Sequence, residues 1–176
     1  MRDYTKEELI DLIKNRPLEF NEWKKEQEEI DLSETDFSYS NLSEIDLSNV
    51  DLNSSSFADC HLSEVNFVNC DLTSVDFTRA HIVESDFSES ILSGADFSYA
   101  VASYCNFTDA DMAGSVFQES DLSNSDFSSS LNLSACRFDE ETVWPENDML
   151  PEDFDASCND DLSYLKDEED AVVEDY

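Results

Sequence analysis

Residues 75–100 read VDFTRAHIVESDFSESILSGADFSYA, and within them Phe77, Ile82, Phe87, Leu92 and Phe97 recur at intervals of five. Outward from this stretch the same step lands on Leu32, Phe37, Leu42, Leu47, Leu52, Phe57, Leu62, Phe67 and Leu72 before it. After it come Ala102, Phe107, Met112, Phe117, Leu122 and Phe127, making 20 consecutive apolar positions. Two residues ahead of each runs a second column, Ile30 to Ser125, that is small or β-branched and never charged. The other three columns are mostly Asp, Ser, Asn and Glu.

A period of five fits neither the 3.6 of a helix nor the 2 of a strand. A helix would distribute these residues around its whole circumference, and a strand would send them alternately to opposite faces. The chain has to turn at every repeat to keep them on one side, which a stacked coil achieves. Such a stack hydrogen-bonds its backbone from coil to coil, about 4.8 Å apart. The phase slips by one residue between Ser128 and Asn132, after which Leu133 and Phe138 resume it.

The units TDFSY, IDLSN, ADFSY and SDFSS resemble the A/S-D-L/F-S-x signature of the pentapeptide-repeat proteins, over about residues 30–140. The resemblance implies an all-β fold, a right-handed quadrilateral β-helix of about five to six coils with four pentapeptides in each. Residues twenty apart then stack. Phe37, Phe57, Phe77, Phe97 and Phe117 form one inner ladder, and Phe67, Phe87, Phe107 and Phe127 form the ladder opposite. Residues 131–140 add about half a coil. The five cysteines include no CxxC pair. Cys60, Cys70, Cys105 and Cys136 fall in the small inner column and read as reduced core residues, while Cys158 reads as free in the tail.

The chain divides into a helical N-terminal cap (1–29), the repeat region (30–140) and an acidic C-terminal cap and tail (141–176). In the first, Leu9, Ile10, Leu12, Ile13, Phe20 and Trp23 stand at helical spacing, Thr5 and Glu8 form a capping-box pattern, and Pro17 splits two helices. It resembles the N-terminal caps of bacterial members and reads as a lid over the first coil, or alternatively as a partner-binding helix. Residues 139–176 hold 16 acidic residues and one basic residue. Val143, Trp144, Pro145, Met149 and Phe154 are candidates to close the last coil. The part beyond Asn159 reads as a short acidic helix or a disordered tail. The C-terminal end lacks an apolar dimer surface, so a monomer or a weak homodimer is expected.

Charge limits the function. The chain has 44 Asp and Glu against 9 Lys and Arg, a formal net charge of −35. Direct binding to nucleic acid or to an anionic membrane needs the opposite sign. With no transmembrane run and no secretory signal in view, a cytoplasmic location is expected. Between Ile30 and Ser130 stand 19 acids and one base, Arg79. Five coils span roughly 24 Å, a length of duplex DNA that carries roughly 14 charges. Acids recur in the column before the centre, with Asp31, Asp51, Asp71 and Asp111 in one file and Asp46, Asp86 and Asp126 in another.

These files are the candidate partner-binding residues, together with Tyr99 and Val101, expected at one corner. Ile91, Val116 and Tyr104 are further outward apolar residues. The expected function is a non-enzymatic, acidic protein-binding scaffold. The alternative, implied by the quinolone-resistance and topoisomerase-inhibitor members of the family, is a DNA mimic. Such a mimic would bind a type II topoisomerase (gyrase) or another DNA-binding protein and protect or inhibit it. Acidity that serves only solubility is the plainer account. No catalytic motif or phosphate-binding glycine loop is present. No cofactor is implied. His61 and His81, twenty apart, make two potential metal ligands without a third, so no metal is expected.

Overall fold

The computed structural model describes residues 3–157. Residues 30–150 wind into a four-sided β-helix whose coils pair in parallel, with a register of twenty as far as the Asp111–Leu131 pair. Ile30 lies opposite Val50, and His61 opposite His81, which lies opposite Val101. The strands are short: β1 (Ile30–Asp31), β2 (Val50–Asp51), β3 (His61–Ser63), β4 (His81–Val83) and β5 (Val101–Ser103). Single parallel bridges continue the ladders between them, such as Asp36 to Ser56 and Asp71 to Ile91. Each central residue donates its N–H to the next coil, Phe57 to the Asp76 carbonyl at 2.7 Å and Phe77 to the Asp96 carbonyl at 2.7 Å.

The chain turns a corner every five residues because the second residue after each centre from Leu32 to Leu122 takes a left-handed conformation. Gly94 and Gly114, the two glycines of the chain, sit at φ +71° there, but so do Glu64 (φ 56°), Arg79 (φ 55°) and Tyr104 (φ 57°). This conformation is unfavourable for a side chain. It is held because the surrounding hydrogen bonds fix it, commonly one from the third residue after the centre back to the centre, as in Cys60 N–H to the Phe57 carbonyl at 3.1 Å.

All twenty centres are buried, and every member of the small column is buried except the partly exposed Ser40. Phe37, Phe57, Phe77, Phe97 and Phe117 stack with ring centroids 4.8–5.3 Å apart. Phe67, Phe87, Phe107 and Phe127 stack at 4.5–4.9 Å. The two ladders meet edge to face, for instance Phe77 on Phe87 at 5.7 Å, a favoured aromatic geometry. Burial pushes the thiols of Cys70 and Cys105 up to about 12. The thiols of Cys60, Cys70, Cys105 and Cys136 are free and buried. Cys158 lies outside the described residues.

Hydroxyls in the small column repair turns that the backbone leaves open. The Cys105 N–H donates to Ser125 Oγ at 2.9 Å, and that hydroxyl donates to the Ala102 carbonyl at 2.7 Å. Ser55 bridges Thr35 N–H and the Leu32 carbonyl in the same way, at 3.0 and 2.9 Å.

The first coil is closed by α1 (Lys6–Asn15) and α2 (Pro17–Lys24), with a full capping box of Thr5 and Glu8 and with Pro17 opening α2. Leu12, Ile13 and Phe20 are buried on it. Polar groups of the helices finish the ladder. Lys6 donates to the Ser33 carbonyl, Lys14 to the Asp36 carbonyl at 3.0 Å, and Asn21 to the Glu44 carbonyl at 3.0 Å while accepting the Asp46 N–H at 2.9 Å.

At the other end the repeat spacing understates the solenoid. The register widens from twenty to twenty-one at Val116–Arg137 and to twenty-two at Asp121–Val143, and Phe127 still donates to the Met149 carbonyl at 2.8 Å. Asn132, in the left-handed region, and the 3₁₀ turn Leu133–Ala135 absorb the first extra residue. A sixth coil therefore forms where the spacing indicates half of one. Phe138, Trp144 and Leu150 follow Phe117, Leu122 and Phe127. Trp144 meets Phe117 at 5.6 Å and Phe127 at 5.8 Å, and Phe154 covers it at 4.8 Å.

Candidate functional site

The interior is filled by stacked side chains, so the outer columns carry whatever the protein presents. We number the four faces by the central residues of the first coil, Leu32, Phe37, Leu42 and Leu47. The 19 acids of residues 30–130 divide five, five, four and five among them. No face is left uncharged.

The acid before the centre has a structural task. Its Oδ1 accepts the N–H two residues on: Asp31 from Ser33 at 2.9 Å, Asp51 from Asn53 at 3.0 Å, Asp71 from Thr73 at 3.0 Å and Asp111 from Ala113 at 3.1 Å. Asp46, Asp86 and Asp126 do the same for Ser48, Ser88 and Ser128 at 2.9–3.0 Å. This is the local turn that Asp and Asn favour. Hydrogen bonds from the Ser33 hydroxyl and backbone hold the Asp31 carboxyl below its ordinary value, and those from Ser38 do so for Asp36. Burial works to raise Asp46, but the Ser48 hydrogen bonds and the charge of Lys24 at 3.2 Å outweigh it and lower the group. Asp46 is thus already paired with the helical cap. On the fourth face its file alternates, Asp46, Asn66, Asp86, Asn106, Asp126, and Asn106 donates to Asp86 at 3.1 Å.

The left-handed corner column is the most consistently exposed. On the third face it carries Glu44, Glu64 and Glu84, all exposed, then Tyr104 at 61% exposure. On the second it carries Tyr39, Asp59, Arg79 and Tyr99, with Arg79 paired to Asp59 at 3.1 Å. The twenty-residue spacing of the three glutamates is visible in the sequence. That their column is more consistently exposed than the aspartate column follows only from the turn geometry.

Tyr99 is exposed at its corner and Val101 is half-buried on β5, two residues further. Ile91 is 45% exposed, whereas Val116, expected outward, is 7% exposed. The His61 and His81 rings lie 5.7 Å apart, and no group of three or more potential metal ligands occurs among the described residues. Two concavities, of about 490 and 220 Å³, flank Phe154 and Pro151 at the C-terminal end. No helix of the described residues is long and apolar enough to cross a membrane.

Two family models match, "pentapeptide repeat region" over residues 27–97 and "pentapeptide repeats (8 copies)" over residues 90–128. The chain belongs to the pentapeptide-repeat family. Among solved structures it is similar to HetL, a pentapeptide repeat protein involved in heterocyst differentiation regulation from the cyanobacterium Nostoc. The identity is 16%, over 65% of this chain and 56% of HetL, with a TM-score of 0.38. It is also similar to a pentapeptide repeat protein from the Arabidopsis thaliana thylakoid lumen, at 30% identity over 67% of this chain and 70% of that one, TM-score 0.34. QnrB1, a plasmid-mediated fluoroquinolone resistance protein, matches at 13% identity over 64% of this chain and 84% of its own, TM-score 0.34. This pentapeptide-repeat chain thus spans little more than half the length of HetL. No curated protein matches its sequence.

Proposed function

We propose that the protein is a non-enzymatic, acidic scaffold that binds a basic protein partner. The distribution of charge carries this reading: 19 acids on four faces between residues 30 and 130, a stretch whose one base, Arg79, is already paired, with Lys6 and Lys24 of the cap meeting Asp31 and Asp46. The turns of Asp31, Asp51, Asp71, Asp111, Asp46, Asp86 and Asp126 fix one carboxylate oxygen each, so the array meets a cationic surface with little ordering left to do. In this reading the helices of residues 1–29 close the first coil, residues 30–140 present the array, and residues 141–176 add further acids. Tyr99 and Val101 offer an apolar contact beside it. The free buried thiols fit a reducing compartment such as the cytoplasm. Like charges at the acidic C-terminal end favour a monomer or a weak homodimer.

The test uses substitutions that separate charge from turn. Asn66 and Asn106 accept the same local hydrogen bond as their aspartate neighbours. Asp46→Asn/Asp86→Asn/Asp126→Asn should therefore fold normally. It should bind a basic partner more weakly and with a shallower salt dependence; unchanged salt dependence would argue against the array.

Linear charge density favours a second reading, imitation of duplex DNA toward a type II topoisomerase or another DNA-binding protein. Six coils span about 29 Å, and the carboxylates on them are at least as dense as DNA phosphates over that length. Gyrase supercoiling assayed over a salt series tests it. No effect at low salt and a large excess of the protein removes gyrase as the partner.

A further inference from the structure

We propose that the third face docks a basic, amphipathic α-helix of the partner, laid along the solenoid axis. The proposal rests on the scaffold reading and assigns it a place and a partner chemistry.

The third face differs from the other three in shape. Its column before the centre carries Asn41, His61, His81 and Val101 and reaches an aspartate at Asp121, whereas each of the other faces has three or four Asp there. It holds the only three-residue strands among the described residues, β3, β4 and β5, paired side by side in one sheet. Elsewhere the turn is usually pinched shut by a hydrogen bond from the third residue after the centre. Here the N–H groups of Val65 and Cys105 bond instead to the hydroxyls of Ser85 and Ser125, at 3.1 and 2.9 Å. The face is consequently flatter and more strand-like, and its exposed side chains are imidazole, aliphatic and aromatic. His61 and His81 are exposed, Val83 and Val101 half-buried, and Tyr104 exposed.

One edge of this strip is lined by Glu44, Glu64 and Glu84. All three are exposed, and none has a lysine or arginine partner among the described residues. Stacked one coil apart, about 4.8 Å, they repel one another. Asp59 on the neighbouring corner has Arg79 to offset its charge; these three have no such cation among the described residues. A cationic partner would supply that offset.

The spacing selects a helix. Successive same-face residues of a helix, three or four apart, rise about 4.5–6 Å, close to the coil repeat. Glu44 and Glu84 lie about 9.6 Å apart along the axis, against about 10.5 Å from i to i+7 of a helix. In an extended strand same-face residues are about 6.6 Å apart and fall out of step within two coils. Lys or Arg at i, i+3 and i+7 would meet the glutamates, and an adjoining apolar stripe would lie over Val83, Val101 and Tyr104.

The probe is a synthetic helical peptide with lysines at i, i+3 and i+7 and leucines on the adjoining stripe. Its binding is followed by fluorescence anisotropy at low and high salt. Glu44→Gln/Glu64→Gln/Glu84→Gln should weaken binding about tenfold, as three exposed ion pairs would. Val101→Ser/Tyr104→Ser should weaken it at both salt concentrations. Asp36→Asn/Asp76→Asn/Asp96→Asn removes equal charge from the second face, where these aspartates accept the same local turn bonds, and should change it little.

Equal loss in the two acidic triple variants would overturn the face assignment and leave the scaffold reading standing. Equal binding of a strand-forming peptide of the same composition would overturn the helix. Absence of binding to the wild type at low salt would defeat both readings. Self-association abolished by Val101→Ser/Tyr104→Ser would put a second copy in the helix's place.

Discussion

Ser125→Ala should destabilise the protein far more than Ser120→Ala, although both serines are buried in the same column. Ser125 Oγ is the acceptor for the Cys105 N–H and the donor to the Ala102 carbonyl, 2.9 and 2.7 Å away. Its removal leaves two backbone groups unpaired in an interior that water does not reach. Each such group costs about 1–3 kcal/mol, so a loss of about 2–6 kcal/mol is expected for the two. Ser120 donates at 2.7 Å to the Phe117 carbonyl, which also accepts the Ser120 N–H at 3.2 Å and the Thr142 hydroxyl at 2.7 Å. Losing that hydroxyl orphans nothing, and a loss under about 1 kcal/mol is expected. Urea titration followed by circular dichroism gives both midpoints. Equal shifts in the two variants would refute the assignment of Ser125 as a bridge across an open turn.

Four further outcomes follow from the geometry. Phe87→Ala removes a ring stacked at 4.8 and 4.9 Å between Phe67 and Phe107, and thermal melts should show a cost of about 3–5 kcal/mol. Gly114→Val places a β-branched residue at φ +71° and should cost about 1–2 kcal/mol, while Gly114→Asn should be nearly neutral in the same denaturation assay. The lowered Asp31 and Asp36 carboxyls contribute stability that is present above the ordinary carboxylate value, about 3.9, and is lost as pH falls through their depressed folded values. Asp31→Asn/Asp36→Asn should therefore lose less stability than the wild type between pH 5 and 2, on unfolding curves across about that range. With Cys70 and Cys105 pushed up to about 12 by burial, neither thiol should react with a disulfide reagent at pH about 8 until urea unfolds the chain; labelling followed by peptide mapping checks this.

The five-residue period carried the fold because it is a property of the whole chain. One apolar centre can mislead, but 20 in phase, Leu32 to Phe127, admit only a chain that turns at every repeat. The cap was legible for a local reason: Thr5, Glu8 and Pro17 act on their own neighbours. The second half of the sixth coil was not, because Trp144 and Leu150 depart from the spacing that Leu133 and Phe138 keep and hold their places through ladder bonds that only the folded chain makes. The surface divides in the same way. Asp46, Asp86 and Asp126 stand out as a file of charges, yet their turn-closing hydrogen bonds give them a second role that no charge pattern reveals. Glu44, Glu64 and Glu84 look ordinary in sequence, and only the left-handed corner lifts them outward.

The inside of this solenoid repeats every five residues, whereas its outside repeats every twenty. Excising one pentapeptide would keep every centre apolar and every turn usable. It would also rotate everything downstream by a quarter of the circumference, moving Tyr104 away from the glutamates and breaking both phenylalanine ladders. Only gains or losses of a complete coil preserve the exterior, so the two layers of the molecule respond to different units of insertion and deletion.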